Sequence, residues 1–303
     1  MKALVIGYGS IGERHVRVLT ELGCEVAVLS GRTVSHAPCF SSLTQALSDW
    51  RPGYVVVANR TSGHHQTVGS LAEHGFRGRV LVEKPLFDRL MPVPNHNFSH
   101  AAVAFNLRCH PLLNQLRRIL DGRRAWTASV YVGAYLPDWR PATDYRSCYS
   151  AFTDQGGGVL RDLSHELDYV LWLFGPWQRL TASGGHLSTL AIESEDAFTV
   201  VMETRRCPLV SVHMNYLDRV PRREILVNTD QHTIRGDQIN NTLQVDDTVE
   251  SLVVARDGTD RAEHQAMLDG RIDGLCSFEE GLETLATIEA AERAAASHTW
   301  MAR

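Results

Sequence analysis

The sequence predicts an α/β N-terminal domain of the doubly wound, Rossmann type, followed by an α+β C-terminal domain with a large open, mainly antiparallel sheet. Three observations predict it. A glycine-rich turn, Gly7-Tyr8-Gly9-Ser10-Ile11-Gly12, follows the apolar run Ala3-Leu4-Val5-Ile6 at the start of the chain. Short apolar runs then alternate with segments of helical spacing. From residue 125 onward, long alternating segments take over. A single boundary is expected after residue 105, with one domain over 1–105 and the other over 106–303.

The elements follow in order. Residues 3–6 form a continuous apolar run, as a strand buried on both faces requires. Val16, Leu19 and Leu22 recur at helical spacing, and Gly23 stops that helix. Residues 25–29 read as a second strand, and 54–58, after Pro52-Gly53, as a third. A helix over 64–74 leads to a fourth strand at 80–82. The stretch 86–100 holds Pro92, Pro94, Asn95, His96 and Asn97, so it reads as a loop before the next strand at 101–105. A short helix is expected over 111–120. Strands are expected at 126–136, 179–186, 197–204, 209–216 and 224–227. One strong helix is expected over 159–174, entered through Gly156-Gly157-Gly158 and closed by Gly175-Pro176. An alanine-rich helix over 278–296 spaces Leu282, Leu285 and Ile288 for packing.

Composition excludes several classes. The 303 residues, 44% of them hydrophobic, can fill two cores. A net charge of -5 without a run of like charges gives no nucleic-acid footprint. No apolar stretch is long enough to span a membrane. Met1-Lys2 passes at once into a strand-like run, so no signal peptide is expected. The six cysteines are scattered without a C-x-x-C pair, which argues for reduced thiols in the cytoplasm and against a zinc site. His96 and His100 lack a carboxylate or thiolate at ligand spacing, so no metal is expected.

The turn carries the first chemistry. Gly7 permits a tight bend, Gly9 lets the backbone approach a pyrophosphate, and Gly12 lets the helix pack closely on the strand. Tyr8, Ser10 and Ile11 complete this expected dinucleotide cradle. The second strand ends Ser30-Gly31-Arg32, with no carboxylate for a ribose 2′-hydroxyl. A serine and an arginine suit a 2′-phosphate, so NADP(H) is expected, with NAD(H) as the alternative. Lys84 stands in Glu83-Lys84-Pro85, at the end of an apolar run. A strand-end lysine beside a dinucleotide suggests hydride transfer to or from a hydroxyl-bearing carbon.

With these motifs in order, the chain resembles the glucose–fructose oxidoreductase/inositol dehydrogenase (Gfo/Idh/MocA) family. Residues 55–64, VVVANRTSGH, resemble its strand-three motif, with Arg60 where the family usually has proline. Glu83-Lys84-Pro85 resembles its lysine signature, and 106–111 its N-x-R-F-x-P segment. Residues 156–175 resemble its glycine turn and active-site helix, and 276–281 its last helix start. The resemblance implies that Asn59, Arg60, His64, Glu83 and Lys84 serve the cofactor and that Arg108 serves the substrate. It also puts Lys84 at the substrate carbon, where it can hydrogen-bond a hydroxyl or alkoxide oxygen.

The helix departs from the family, which commonly has Asp and His four residues apart. Aligning His165 leaves Arg161 in the aspartate slot, and Asp162 three residues before the histidine. Either Asp162 substitutes, or Arg161 points at an anionic group of the substrate. His165 is an expected acid–base or orienting group. Segment 135–146 offers aromatic and forked cationic side chains, among them Trp139, Tyr145 and Arg146, suited to sugars and phosphates. It and the helix resemble a branch of bacterial surface-sugar biosynthesis enzymes. The expected function is an NAD(P)-dependent oxidoreductase acting on a secondary hydroxyl or keto carbon of a sugar, sugar derivative or nucleotide sugar. A nonredox enzyme with a tightly held cofactor, or a dinucleotide-binding regulatory protein, are the competing readings. The second face of the large sheet calls for a partner subunit, so a homodimer or homotetramer is expected.

Overall fold

The structure, a computed structural model, describes every residue except 33, 35, 36 and 140–142. It falls into two units. One comprises Met1–Cys109 and Ala255–Leu282, the other His110–Val254 and Glu283–Arg303. The chain thus returns to its first unit late, where the sequence suggested one crossing after residue 105. Met267 and Leu275 explain the return, because both are buried in the same apolar cluster as Ala3, Val5 and Val56.

The first unit runs β1 (Lys2–Ile6), α1 (Ser10–Glu21), β2 (Glu25–Leu29), β3 (Cys39–Phe40), α2 (Leu43–Gln45), β4 (Tyr54–Val57), α3 (His64–Glu73), β5 (Arg79–Val82) and β6 (His100–Val103). The stretch between β5 and β6 carries no helix, as its prolines indicated. All six strands are parallel, in the order β3-β2-β1-β4-β5-β6. The order reverses beside β1, and in such sheets ligands bind at the carboxyl ends next to that reversal. The four residues of β4 and the last four of β1 are buried, which is why these runs show no alternation.

The second unit opens with α4 (Pro111–Ile119) and β7 (Ala125–Gly133). It continues through α5 (Val159–Asp162), α6 (His165–Phe174), β8 (Trp177–Gly185), β9 (Ala197–Thr204), β10 (Leu209–Asn215), β11 (Arg222–Thr229), β12 (Thr233–Asp237), β13 (Thr242–Val245) and β14 (Thr248–Ser251). After it come α7 (Gly258–Asp269), in the first unit, then α8 (Phe278–Ser297) and β15 (Met301–Ala302). The sheet order is β14-β13-β12-β11-β7-β10-β9-β8-β15. Only β7 and β10 pair in parallel, so the sheet is mainly antiparallel, as expected. Val130, Val200, Val212 and Ile225 fill one face. Buried side chains of α6, such as Leu167 and Val170, pack on that side.

One expected element is broken. The helix over 159–174 splits into α5 and α6, because Leu163 (φ -101°, ψ 27°) leaves helical geometry. Arg161 and Asp162 therefore do not share a continuous helical face with His165, and the spacing argument built on one face does not hold.

Candidate functional site

The parallel register aligns the strand ends of the first unit. Ile6 pairs with Leu29 and Val57, and Val57 with Val82. The next residues, Gly7, Ser30, Ala58 and Glu83, thus lie along one carboxyl edge. Hydrogen bonds tie them there: Gly7 N–H donates to Leu29 O (2.9 Å), Ala58 N–H to Ile6 O (2.7 Å) and Glu83 N–H to Val57 O (2.9 Å).

The glycine turn meets the demands of a dinucleotide. Gly7 has φ 100°, and a Cβ there would strike the backbone of Ala58 and Asn59. A Cβ on Gly12 would run into the carbonyl of Gly7, so α1 could not approach β1 this closely with any other residue. Gly9 has open space where its Cβ would be. It caps α1 with no side-chain hydrogen bond, so the first N–H groups of that helix keep their donors for an anion. Gly7 through Gly12 fit a pyrophosphate. At the end of β2, Arg32 is exposed; its Nη1 donates to Tyr8 O (3.1 Å) and its N–H to Ser30 Oγ (3.0 Å). Its guanidinium therefore lies over the turn.

Asn59 and His64 lock the neighbouring loop. Asn59 Nδ2 donates to Thr67 Oγ1 (3.0 Å). The His64 ring is buried, with Nε2 3.2 Å from Asn59 O and Nδ1 3.2 Å from the carbonyls of Pro85 and Leu86. Burial holds His64 below the usual imidazole range, against the pull of those carbonyls. Its ring nitrogens meet backbone carbonyls, so His64 braces the segment after Lys84. Arg60 is exposed.

Lys84 is half-buried, and the Lys84-Pro85 peptide is cis. Glu83 accepts the Lys84 backbone N–H at Oε2 (3.0 Å) and contacts His15 Nε2 at Oε1 (2.9 Å). Burial opposes ionisation of Glu83, but the His15 hydrogen bond and charge, with Lys84, outweigh it and hold the carboxyl below its ordinary value. Arg108, expected at the substrate, is buried and pairs with Glu280 Oε2 (2.7 Å) and Leu275 O (3.3 Å). Both of these partners lie within the first unit.

In the second unit, Gly158 (φ 113°) opens α5, and its position leaves no room for a side chain beside Glu195. Glu195 accepts the Leu160 N–H (3.3 Å) at its carboxylate and the Val159 N–H (3.1 Å) at its carbonyl. Burial pushes its carboxyl up to about 7, although its own N–H, the Leu160 N–H and Arg161 oppose the rise. Arg161 forms an ion pair with Glu292. Asp162 is buried and accepts the Tyr216 O–H (2.7 Å). The Tyr216 ring meets Trp139 edge-on, 5.2 Å between centroids. Both Arg161 and Asp162 thus have partners within the second unit. His165 begins α6 and is half-buried.

Trp139 and Tyr145 line one pocket with Leu136, Thr143, Cys148 and Ser150. The Tyr145 hydroxyl accepts the Ala191 N–H (3.3 Å), and Arg146 is exposed and bound to Asp144. Residues 140–142 of the expected ligand segment lie outside the described residues. Sequence reasoning missed Glu195, Tyr216, His15 and His264. Only His15 gave a signal: it lies on the apolar face of α1 with Gly12, Val16 and Leu19.

Two family models match the sequence. Residues 1–93 match the oxidoreductase family with an NAD-binding Rossmann fold, and residues 124–258 match the GFO/IDH/MocA C-terminal domain. The chain belongs to the Gfo/Idh/MocA oxidoreductase family. No curated protein sequence matches it. Solved structures share the fold. GenD2 from gentamicin A biosynthesis, in complex with NAD, is 19% identical with a TM-score of 0.81, covering 100% of this chain and 96% of that one. The WlbA dehydrogenase from Bordetella pertussis, in complex with NADH and UDP-GlcNAcA, is 20% identical with a TM-score of 0.80, covering 100% and 98%. Levoglucosan dehydrogenase, in complex with NADH and levoglucosan, is 16% identical with a TM-score of 0.84, covering 100% and 98%. This Gfo/Idh/MocA chain is thus an oxidoreductase with an NAD-binding Rossmann domain. Among its described residues no helix is long and apolar enough to cross a membrane.

Proposed function

We propose that this oxidoreductase transfers hydride between a nicotinamide cofactor and a secondary hydroxyl or keto carbon of a sugar or nucleotide sugar. The observation that carries the reading is Lys84 at the carboxyl edge of β5, on the same strand-end line as the Gly7 turn. The levoglucosan and UDP-GlcNAcA held by related folds support the substrate class. The nicotinamide supplies hydride acceptance or donation; the protein supplies orientation and proton handling. The Lys84 ammonium hydrogen-bonds the reacting oxygen and exchanges its proton. Trp139 and Tyr145 are the proposed stacking side chains for the sugar.

The finer cofactor reading is a preference for NADP(H). Ser30, Gly31 and Arg32 provide donors and no carboxylate where a 2′-phosphate would sit. The deciding experiment screens neutral sugars and nucleotide sugars, levoglucosan and UDP-GlcNAcA among them, with NAD⁺ and NADP⁺, following nicotinamide absorbance. We expect turnover on one of them. A firmly bound cofactor without net turnover on any would replace this reading with a nonredox one.

A further inference from the structure

Behind Glu83 lies a chain of hydrogen bonds that the proposed chemistry does not use. His15 Nε2 meets Glu83 Oε1 at 2.9 Å, His15 Nδ1 meets His264 Nε2 at 2.8 Å, and His264 Nδ1 meets the Tyr54 hydroxyl at 2.8 Å. His15, His264 and Tyr54 are buried, and all four residues belong to the first unit. They come from α1, α7, β4 and the end of β5. A buried imidazole pair costs free energy unless its ring nitrogens find partners, and both partners of His264 are in this chain.

The proton count is restrictive. Ionised Glu83 only accepts, and burial together with the His15 charge keeps His264 well below the usual imidazole range. With His264 neutral, two arrangements satisfy every link. In one, each donor points from Tyr54 toward Glu83. In the other, His15 carries both ring protons, and His264 and Tyr54 reverse their roles. In both, His264 holds the inner nitrogen of His15, and His15 holds Glu83. Asp260 and Glu263 of α7, Arg79 of β5 and Cys24 also act electrostatically on this group, and Arg14 of α1 acts on Asp260.

We infer that His264 and Tyr54 are positioning residues for Lys84: through His15 they hold the Glu83 carboxylate against the Lys84 backbone N–H and so fix the ammonium at the strand edge. The inference rests on the proposed role of Lys84. It also gives the late return of the chain a function, because α7 brings His264 to this chain.

Two measurements test it. The first needs no ligand: histidine ¹⁵N NMR on wild type and Tyr54→Phe, a change that removes one oxygen. The ring signals of His15 should move along with those of His264, although Tyr54 does not touch His15. Unmoved His15 signals overturn the relay. The second compares His264→Gln, which keeps an N–H for His15 Nδ1, with His264→Leu, which does not. On the sugar and cofactor found by the screen, His264→Leu should lower kcat about tenfold or more, with KM and cofactor affinity within about threefold. His264→Gln should recover most of the loss. Equal kcat in all three proteins overturns the inference, and if His264→Leu does not fold, the Tyr54→Phe arm decides. Lys84→Met, run alongside, separates the failures. Near-normal turnover there removes the role of Lys84 itself. An inactive Lys84→Met beside a fully active His264→Leu removes only the relay.

Discussion

Three side chains carry most of the chemical argument, and each can be tested singly. Lys84→Met keeps the apolar stem and removes the ammonium. It should lower turnover by ~10²–10⁴, the range for a lost acid–base group, and leave cofactor affinity within a few fold. Near-normal turnover would end the assignment. Arg32→Ala should cost about 1.5–3 kcal/mol of NADP(H) binding and leave NAD(H) unchanged, as fluorescence titration will show. Equal wild-type affinity for the two cofactors would remove the NADP(H) preference. Glu195 makes stability depend on pH. Burial raises its carboxyl to about 7 in the fold, from about 4.5 for an exposed glutamate, so the folded state binds the proton more tightly. That contribution is complete below the unfolded value and is lost as pH rises through about 7. The shift corresponds to up to about 3 kcal/mol. Thermal denaturation should show Tm falling from pH 6 to pH 8 in wild type, and falling less in Glu195→Gln. Identical slopes would refute it.

At the scale of elements, what was legible followed the physics of burial. β1, β2 and β4 are continuous apolar runs because both faces of a parallel sheet are covered, and their positions were read within a residue or so. β9 was read at its full extent from strict alternation. β12, β13 and β14 were not, because Thr233–Asp237, Thr242–Val245 and Thr248–Ser251 are short and largely polar. The α5–α6 break was hidden because Leu163 keeps the apolar pattern while its backbone leaves the helix. This limit reached the site: the glycine turn and Lys84 were readable from local motifs. The partners of Arg161 and Asp162, Glu292 and Tyr216, lie 131 and 54 residues away, and no local spacing announces them. The α1–β1 contact gives an element-scale test. Gly12→Ala forces a Cβ against Gly7 O, a collision with backbone that cannot rotate away. It should destabilise by about 1–3 kcal/mol in urea unfolding, with weakened NADH binding. Unchanged stability and affinity would show that α1 can shift without cost.

For the whole molecule, the open question is what covers the outer face of the nine-stranded sheet. Its middle rows are in register: Leu226, Ser129, Ser211 and Val201 form one, and Glu224, Tyr131, His213 and Thr199 the next. These side chains are half-buried or exposed, and most are small or uncharged. Tyr131 stacks on His213 (4.9 Å between centroids), and burial holds His213 below the usual imidazole range. A weakly charged sheet face of this kind suits isologous pairing, in which each row meets its own copy across a twofold axis. We therefore expect a homodimer, or a tetramer built from dimers. Val201→Arg puts a charge in the centre of the face, close to its own copy across the axis. Desolvating like charges there should convert the assembly to monomers, while the inward face, lined by Val200 and Met202, is untouched. Light scattering at micromolar concentration measures the mass directly. A wild-type monomer would remove the interface, and a Val201→Arg protein that keeps the wild-type mass would move it off this face.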